Sequence, residues 1–440
     1  MKEISVAQQN SATRPDRPAP QLVVAWASMI PLFYFASGGG FWFQYAAMNT
    51  SMSYHYGSLV TASMTEENLV TALAVFAIVS ALIFPRIITV IGLCLKDRVF
   101  ASLSALALAS CLWSQFPSRS LEFSLCLAFN LSFVFYLYRK FSPERLLGLF
   151  LMLGWICLAA CITLSLYLPQ YGTDSTLGST GAWRGLYAHK NACSITTVIL
   201  LSGAFYAQAK TMLARASRVI YVCLSVFVVI MTQSRTGWVL LASLLVYVSV
   251  MRLVQRFNST ERVAALILGA TVALSLIIAT IGYSSEILYF LGKDPTLTGR
   301  TEIWKSVSTS ALKHPILGYG YMAFWKNLQG ESATEALANH WAVTSAHNGM
   351  LELWLTLGAV GLGLVLYTFV RAFRDAFVCL RAGNSSYTQW YSCIAFLAVV
   401  TSLDEAELMI PNNLRWMLYV LACVGLSERA KAIRRSRCDG

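Results

Sequence analysis

His347 stands where a polar stretch passes into a long apolar run, "SAHNGMLELWLTLGAVGLGLVLYTFV". An unperturbed imidazole titrates near about 6.5, so at neutral pH it can accept a proton. At such a boundary it could deprotonate a hydroxyl arriving from water while an apolar tail stays in a bilayer. Glu352 follows one helical turn inside the run. An ionisable residue within a span is a functional candidate by default, and Glu352 could orient a neighbouring group or pair with an arginine.

A second chemistry is written in the cations. "GAWRGLYAHKNACS" holds Arg184, His189 and Lys190, "MTQSRTGWVLL" holds Arg235, and "TGRTEIW" holds Arg300. A guanidinium offers a planar fork of donors that matches phosphate oxygens in two-point contact. Asn191 and the first amides of the helix that follows would point a helix N-terminus at the same anion. Blander readings stand beside these. Each Arg could snorkel to lipid headgroups, and His347 with Asn348 could cap a helix and satisfy loop carbonyls. Asp404, Glu405 and Glu407 in "TSLDEAELMIPNN" could do acid–base work or hold a divalent ion, but they read as a solvated acidic rim. His314, before Pro315, reads as a helix end. His340, beside Trp341, could stack on a sugar or simply pack.

The elements that must hold these residues are membrane helices. Of the 440 residues 57% are hydrophobic and 12% are charged, against about 25% charged in soluble domains. Apolar runs long enough to cross a hydrocarbon core of about 30 Å recur along the chain. The pattern predicts an all-α integral membrane protein of about twelve transmembrane helices, near 22–43, 70–92, 98–115, 120–138, 146–168, 191–209, 216–232, 236–252, 262–283, 348–370, 387–403 and 413–427. Residues 1–20 read as a disordered cytoplasmic tail, not a signal peptide, because no apolar core precedes a small-residue cleavage site. Residues 21–428 read as one polytopic domain and 429–440 as a basic cytoplasmic tail.

Charge sets the orientation. With the N-terminus inside, the inner loops collect Lys96 and Arg98, Arg139 to Arg145, Lys210 to Arg218, Arg252 to Arg262, and Arg371 to Arg381. This satisfies the positive-inside bias with both termini in the cytoplasm, and it accounts for the net charge of +12 without nucleic acid. The long connection 284–347 then falls outside. Within it "TGRTEIWKSVSTSALKHPILGYG" predicts an amphipathic helix stopped at His314-Pro315, then a glycine-rich turn. "LWSQFPSRS" reads as an interfacial turn with Trp113 as a belt anchor. The eleven Cys show no C-x-x-C spacing and read as small buried hydrophobes. No Walker loop, dinucleotide fingerprint or H-E-x-x-H is present.

In their order, "WSQFPSRS", "RGLYAHKN", "QSRTGWVLL", "GRTEIWKSVSTSALKHPILGYGY" and "SAHNGMLELWLTLGAVGL" resemble the bacterial O-antigen ligase and polysaccharide polymerase family. The likeness runs over roughly residues 100–370. "RGLYAHKN" and the length are most similar to the ExoQ-like exopolysaccharide polymerases. The resemblance implies a membrane glycosyltransferase C-like fold and a metal-independent, inverting glycosyltransferase without cofactor in the inner membrane. The donor it implies is an undecaprenyl-diphosphate-linked glycan at the periplasmic face, and the acceptor a second glycan. Matched by motif, Arg184 and Arg235 would contact the diphosphate, with Arg300 and Lys190 less defined. His347 would activate the acceptor. Implied partners are membrane lipids and other polysaccharide export and chain-length proteins. The alternatives are a ligase moving finished glycan to lipid A core, and a transporter or flippase of lipid-linked glycan. A transporter would place ionisable residues near mid-membrane in broken helices.

Overall fold

The computed structural model describes residues 18–38, 66–174, 180–254, 300–325, 330–332, 345–383 and 385–438. Among these residues the chain is helical, with one isolated antiparallel bridge between Thr173 and Trp183. The helices are α1 (Pro18–Ala36), α2 (Glu66–Ile83), α3 (Ile87–Lys96), α4 (Arg98–Ala109), α5 (Pro117–Lys140), α6 (Pro143–Tyr167), α7 (Pro169–Gly172), α8 (Lys190–Tyr206), α9 (Met212–Met231), α10 (Arg235–Val254), α11 (Arg300–Ala311), α12 (Gly349–Ala382), α13 (Ser386–Ser402) and α14 (Leu414–Cys438).

Local chemistry starts several of them. Proline occupies the first turn of α5, α6 and α7, where its missing N–H costs nothing. Thr211 caps α9 by accepting from the Ala214 amide at 3.1 Å, and Asn348 caps α12. The basic stretch read as a tail continues α14 as helix through Cys438.

Six stretches among the described residues are long and apolar enough to cross a membrane: Val70–Lys96, Pro117–Lys140, Pro143–Tyr167, Met212–Met231, Arg235–Leu253 and Gly349–Ala382. Twelve were expected. Leu22–Ala36 and Arg98–Leu112 are apolar but shorter, α8 and α13 have 17 residues each, and the expected span 262–283 lies outside the described residues. Two of the remaining helices are also enclosed by their neighbours. Every residue of α8 from Ala192 to Ala204 is buried, as is every residue of α14 from Leu414 to Ser427. A helix wrapped by others can carry serine, threonine and arginine where a lipid-facing helix carries leucine. By contrast, α9 turns Leu213, Val219, Ile220, Phe227 and Ile230 outward. The α12–α13–α14 group packs together, and α8 packs on α6, α9, α10 and α13.

The bundle has two chemically different ends. At one, the Arg371 guanidinium forks onto Asp97 at 2.7 and 2.9 Å, and buried Asp375 meets Arg374 at 3.2 Å and Arg434 at 2.8 Å. At the other lie the first residues of α8, α10, α11 and α12 and the turn between α13 and α14.

The expected span at 348–370 is a broken helix. Gly358 leaves the helical region at φ 65° and ψ −167°, and the chain resumes as helix to Ala382. The break frees backbone groups that a membrane protein must satisfy internally. The segment after α11 supplies the partners. The amides of Ala359 and Val360 donate to the carbonyls of Pro315 (2.8 Å) and Ile316 (3.3 Å). In return the amides of Tyr319 and Gly320 donate to the carbonyls of Leu355 and Thr356, both at 3.0 Å. This explains "HPILGYG": proline ends α11, and the glycines allow backbone to lie against backbone. The turn before α5 grips the same segment. Trp113 Nε1 donates to the Leu317 carbonyl at 3.1 Å and the Gln115 amide to Tyr319 at 3.3 Å. Trp113, expected as a belt anchor, holds a loop through its indole N–H.

A Cβ at Gly358 would sit 2.1 Å from the Ile316 carbonyl oxygen, in a backbone region close to glycine-only. Gly358→Ala is expected to lower stability by about 1–3 kcal/mol, the usual cost of such backbone strain, and more if the clasp opens. Gly363→Ala, five residues on with open space at its Cβ, is expected to be neutral. Thermal unfolding of the two variants in one detergent makes the comparison.

Candidate active site

The site is built on a buried carboxylate. After α13 the chain turns, with the amides of Asp404 and Glu405 both donating to the Thr401 carbonyl (3.2 and 2.9 Å). That turn folds Glu405 inward until 2% of it is exposed. Its Oε1 accepts from Asn191 Nδ2 at 2.7 Å and lies 3.4 Å from Arg300 Nη2. Its Oε2 lies 3.5 Å from His347 Nδ1, within ion-pair reach but long for a hydrogen bond. Burial pushes the carboxyl up. The adjacent His347 and the charges of Arg300 and His189 outweigh burial and hold it at about 2. The group is thus ionised at neutral pH. Its stabilising contribution is complete above the ordinary carboxylate range and is lost only as pH falls toward about 2.

Asp404 continues the network outward. Its carboxylate pairs with Arg300 and accepts from the Thr236 hydroxyl, while Arg300 Nη1 also donates to the Asp404 carbonyl at 3.0 Å. Asn191 Oδ1 accepts from Ser234 Oγ at 2.8 Å, and Ser234 Oγ accepts from the Gly237 amide at 3.1 Å. The starts of α8, α10 and α11 are thereby joined to one acidic turn.

The loop before α12 meets that turn as well. Asn348 Oδ1 accepts from the amides of Met350 and Leu351, both at 3.0 Å, and its Nδ2 donates to the Leu403 carbonyl at 3.2 Å. Capping is therefore done by Asn348, and the His347 ring is left beside Glu405, 17% exposed. His347 itself is in the left-handed region at φ 46°. Glu352 is buried one turn in. Its Oε1 accepts from Trp325 Nε1 and its Oε2 from the Ala346 amide, both at 2.8 Å. Glu352 fixes the residue preceding His347, and its described partners are an indole and an amide rather than an arginine.

The first cationic motif flanks this network. His189 caps α8, its Nδ1 accepting from the Asn191 amide at 3.3 Å, with Nε2 3.6 Å from Asp174 Oδ2. Burial holds its imidazole below the usual value, against the pull of Asp174 and Glu405. Lys190 begins α8, half-buried. Arg184 is half-buried and donates from Nε to the Tyr171 carbonyl at 3.0 Å and from Nη1 to Ala188 at 3.5 Å. The neighbouring Trp183 amide donates to Met231 at 2.9 Å, which sets this segment against the α9–α10 turn. Arg235, the first residue of α10, is exposed.

The fold thus brings His347 and Arg300 onto one acidic turn and sets Arg184, Lys190 and Arg235 on the elements around it. Of these cations Arg300 has its donors directed to carboxylates. Two of the three acids depart from the solvated rim expected from sequence: Glu405 and Glu407 are buried, because cations and a polar helix start surround them, while the Asp404 side chain is 42% exposed. Sequence reasoning also passed over Arg415. Its Nε lies 2.8 Å from Glu407 Oε2, which also accepts from Asn413 Nδ2 at 2.7 Å, and its Nη1 reaches the Ala192 carbonyl and Thr196 Oγ1 at 3.4 Å each. The available signal was the counter-charge requirement: an outer cluster of arginines needs acids close by. His340 and Trp341 lie outside the described residues. Among the described residues no group of three or more His, Cys, Asp or Glu could hold a metal ion.

Residues 220–366 match the family model described as O-antigen ligase. Over 159 residues the chain is 31% identical to the exopolysaccharide production protein ExoQ of Rhizobium meliloti (strain 1021), an alignment covering 34% of this chain and 36% of that relative. The chain therefore matches about a third of the length of that curated relative. These findings support an O-antigen ligase and ExoQ-like family. The matched segment 220–366 carries Arg235, Arg300, His347 and Glu352, while Arg184 precedes it and Glu405 follows it.

Glu407 and Arg415 have side chains 7% and 8% exposed. Removing the acid takes the carboxylate from a buried guanidinium, so Glu407→Ala is expected to cost about 3–5 kcal/mol. Glu428→Ala, which breaks an exposed pair with Lys431, should change stability by less than about 1 kcal/mol. Denaturation midpoints of the two variants test the contrast.

Proposed function

We propose that the chain is a periplasmic-face glycosyltransferase of the bacterial inner membrane that polymerises oligosaccharide repeats carried on undecaprenyl diphosphate. The observation that carries this reading is the convergence of an imidazole, an ionised carboxylate and several cations at one end of an apolar bundle, with the Asp97–Arg371 and Asp375–Arg434 pairs at the other. The family model and the exopolysaccharide relative support the same class of chemistry.

In this reaction the acceptor hydroxyl oxygen attacks the anomeric carbon of the donor from the face opposite the diphosphate. The carbon–oxygen bond to the diphosphate breaks, and undecaprenyl diphosphate leaves with the bonding electrons. The hydroxyl proton passes to His347. Charge grows on the diphosphate as it departs, and Arg184 and Arg235, with Lys190 at the start of α8, stabilise it where water is scarce. Arg300 serves the site through the acidic turn that it pairs with.

A ligase needs the same donor site and remains the second reading, because the matching family model is described as O-antigen ligase. Transport is disfavoured by the break in α12: it is filled by protein backbone from residues 315–320, and the ionisable residues described here gather at the two ends of the bundle.

Deleting the gene and analysing the lipid-linked glycans that accumulate separates the two enzymes. Single repeats are expected for a polymerase, and full-length lipid-linked polymer would show a ligase. In the purified protein, lysine at position 184 or 235 keeps the charge but loses the fork. Either variant should insert normally and lose most turnover. His347→Gln should bind undecaprenyl diphosphate and turn over roughly 10²–10⁴-fold more slowly, the range for general-base catalysis. Near-normal turnover in His347→Gln would exclude the base role.

A further inference from the structure

We propose that Glu405 is the positioning residue of His347, holding the ring through Nδ1 so that Nε2 is the basic nitrogen. The inference rests on the reading of His347 as the base. A neutral imidazole carries one proton and can hold it on either nitrogen, so a base of this kind needs a partner that selects the tautomer. Among the described residues one carboxylate reaches the ring, with Oε2 3.5 Å from Nδ1. The Asn191 side-chain Nδ2 and the Arg300 guanidinium engage its other oxygen, from two separate helices, which restrains the carboxylate. The loop that carries His347 is tied to the same turn a second time, through Asn348 Nδ2 and the Leu403 carbonyl at 3.2 Å.

Among the described residues, Glu352 and Asp404 have other partners. Glu352 spends one oxygen on Trp325 and the other on the Ala346 amide. Asp404 faces Arg300 and Thr236. A separation of 3.5 Å closes to a hydrogen bond with a small movement of the ring, and catalytic hydrogen bonds are commonly long before substrate binds. Glu405 then does two things. It holds the Nδ1 proton in place while the acceptor hydroxyl delivers its proton to Nε2. It also stabilises the imidazolium that results, which returns its proton to water once product has left.

A double-mutant cycle tests this. Lipid-linked glycan extracted from a strain lacking the gene serves as substrate, and released undecaprenyl diphosphate is the readout. Glu405→Gln should lower kcat by on the order of 10²-fold, leave KM within about twofold, and leave binding of undecaprenyl diphosphate unchanged. In a His347→Ala background the same substitution should cost nothing further, because its effect runs through the ring. Glu405→Asp should recover part of kcat. If Glu405→Gln does not accumulate as folded protein, Glu405→Asp carries the cycle, with charge kept and reach shortened. Equal losses in both backgrounds, or a rise in KM with kcat kept, would overturn the assignment of Glu405 while leaving His347 as the base. Full activity in His347→Ala would overturn both.

Discussion

A carboxylate withdrawn from water must be matched by donors, and in this protein that requirement falls on Glu405. Transferring an ion of this size from water into a protein interior costs several kcal/mol even after relaxation. Neighbours that favour the charged form offset the cost, and they come from distant parts of the chain: Asn191 at the start of α8, Arg300 at the start of α11, and His347 before α12. Satisfying one side chain therefore brings three helix starts to one turn. Ser234 and Thr236 draw in a fourth, through Asn191 and Asp404.

The break in α12 gives this convergence a rigid base. A continuous helix from Gly349 would have no place for the segment that follows α11. Opening the ladder at Gly358 exposes two amides and two carbonyls, and residues 315–320 fill all four. The segment after α11 is thereby joined to α12 by backbone bonds, independent of side-chain choice. Trp113 and Trp354 add indole N–H bonds to the same segment. Glu352, one turn from the cap, then sets the chain path into His347 through the Ala346 amide. Position at the ring is thus inherited from main-chain geometry several residues away.

Between its two ends the bundle divides labour by exposure. Helices such as α9 turn large apolar side chains outward. The enclosed helices α8 and α14 are free to carry Ser194, Thr196 and Arg415, because protein groups rather than hydrocarbon surround them. Polar chemistry can then reach down from the site without breaching the apolar surface. Arg415 against Glu407, the Ala192 carbonyl and Thr196 is one instance.

Properties that accumulate locally were legible in the residues themselves. Apolar runs announce membrane helices, because each residue adds its own transfer free energy. Pro117, Pro143 and Asn348 mark helix starts through neighbours within a few positions, and His314-Pro315 marks the end of α11 in the same way. The motifs holding Arg184, Arg235, Arg300 and His347 could be picked out by residue type alone. The tertiary structure decided what depends on partners far apart in the chain. Asn191 and Glu405 are separated by 214 positions, and Arg300 and Asp404 by 104. No local pattern distinguishes such acids from a solvated rim. The same limit hid the enclosure of α8 and α14, the bond from Trp113 to the Leu317 carbonyl, and the break at Gly358, whose backbone groups residues 315–320 satisfy. Helix formation in a bilayer is a property of segments, whereas the burial of a charge is a property of whatever surrounds it.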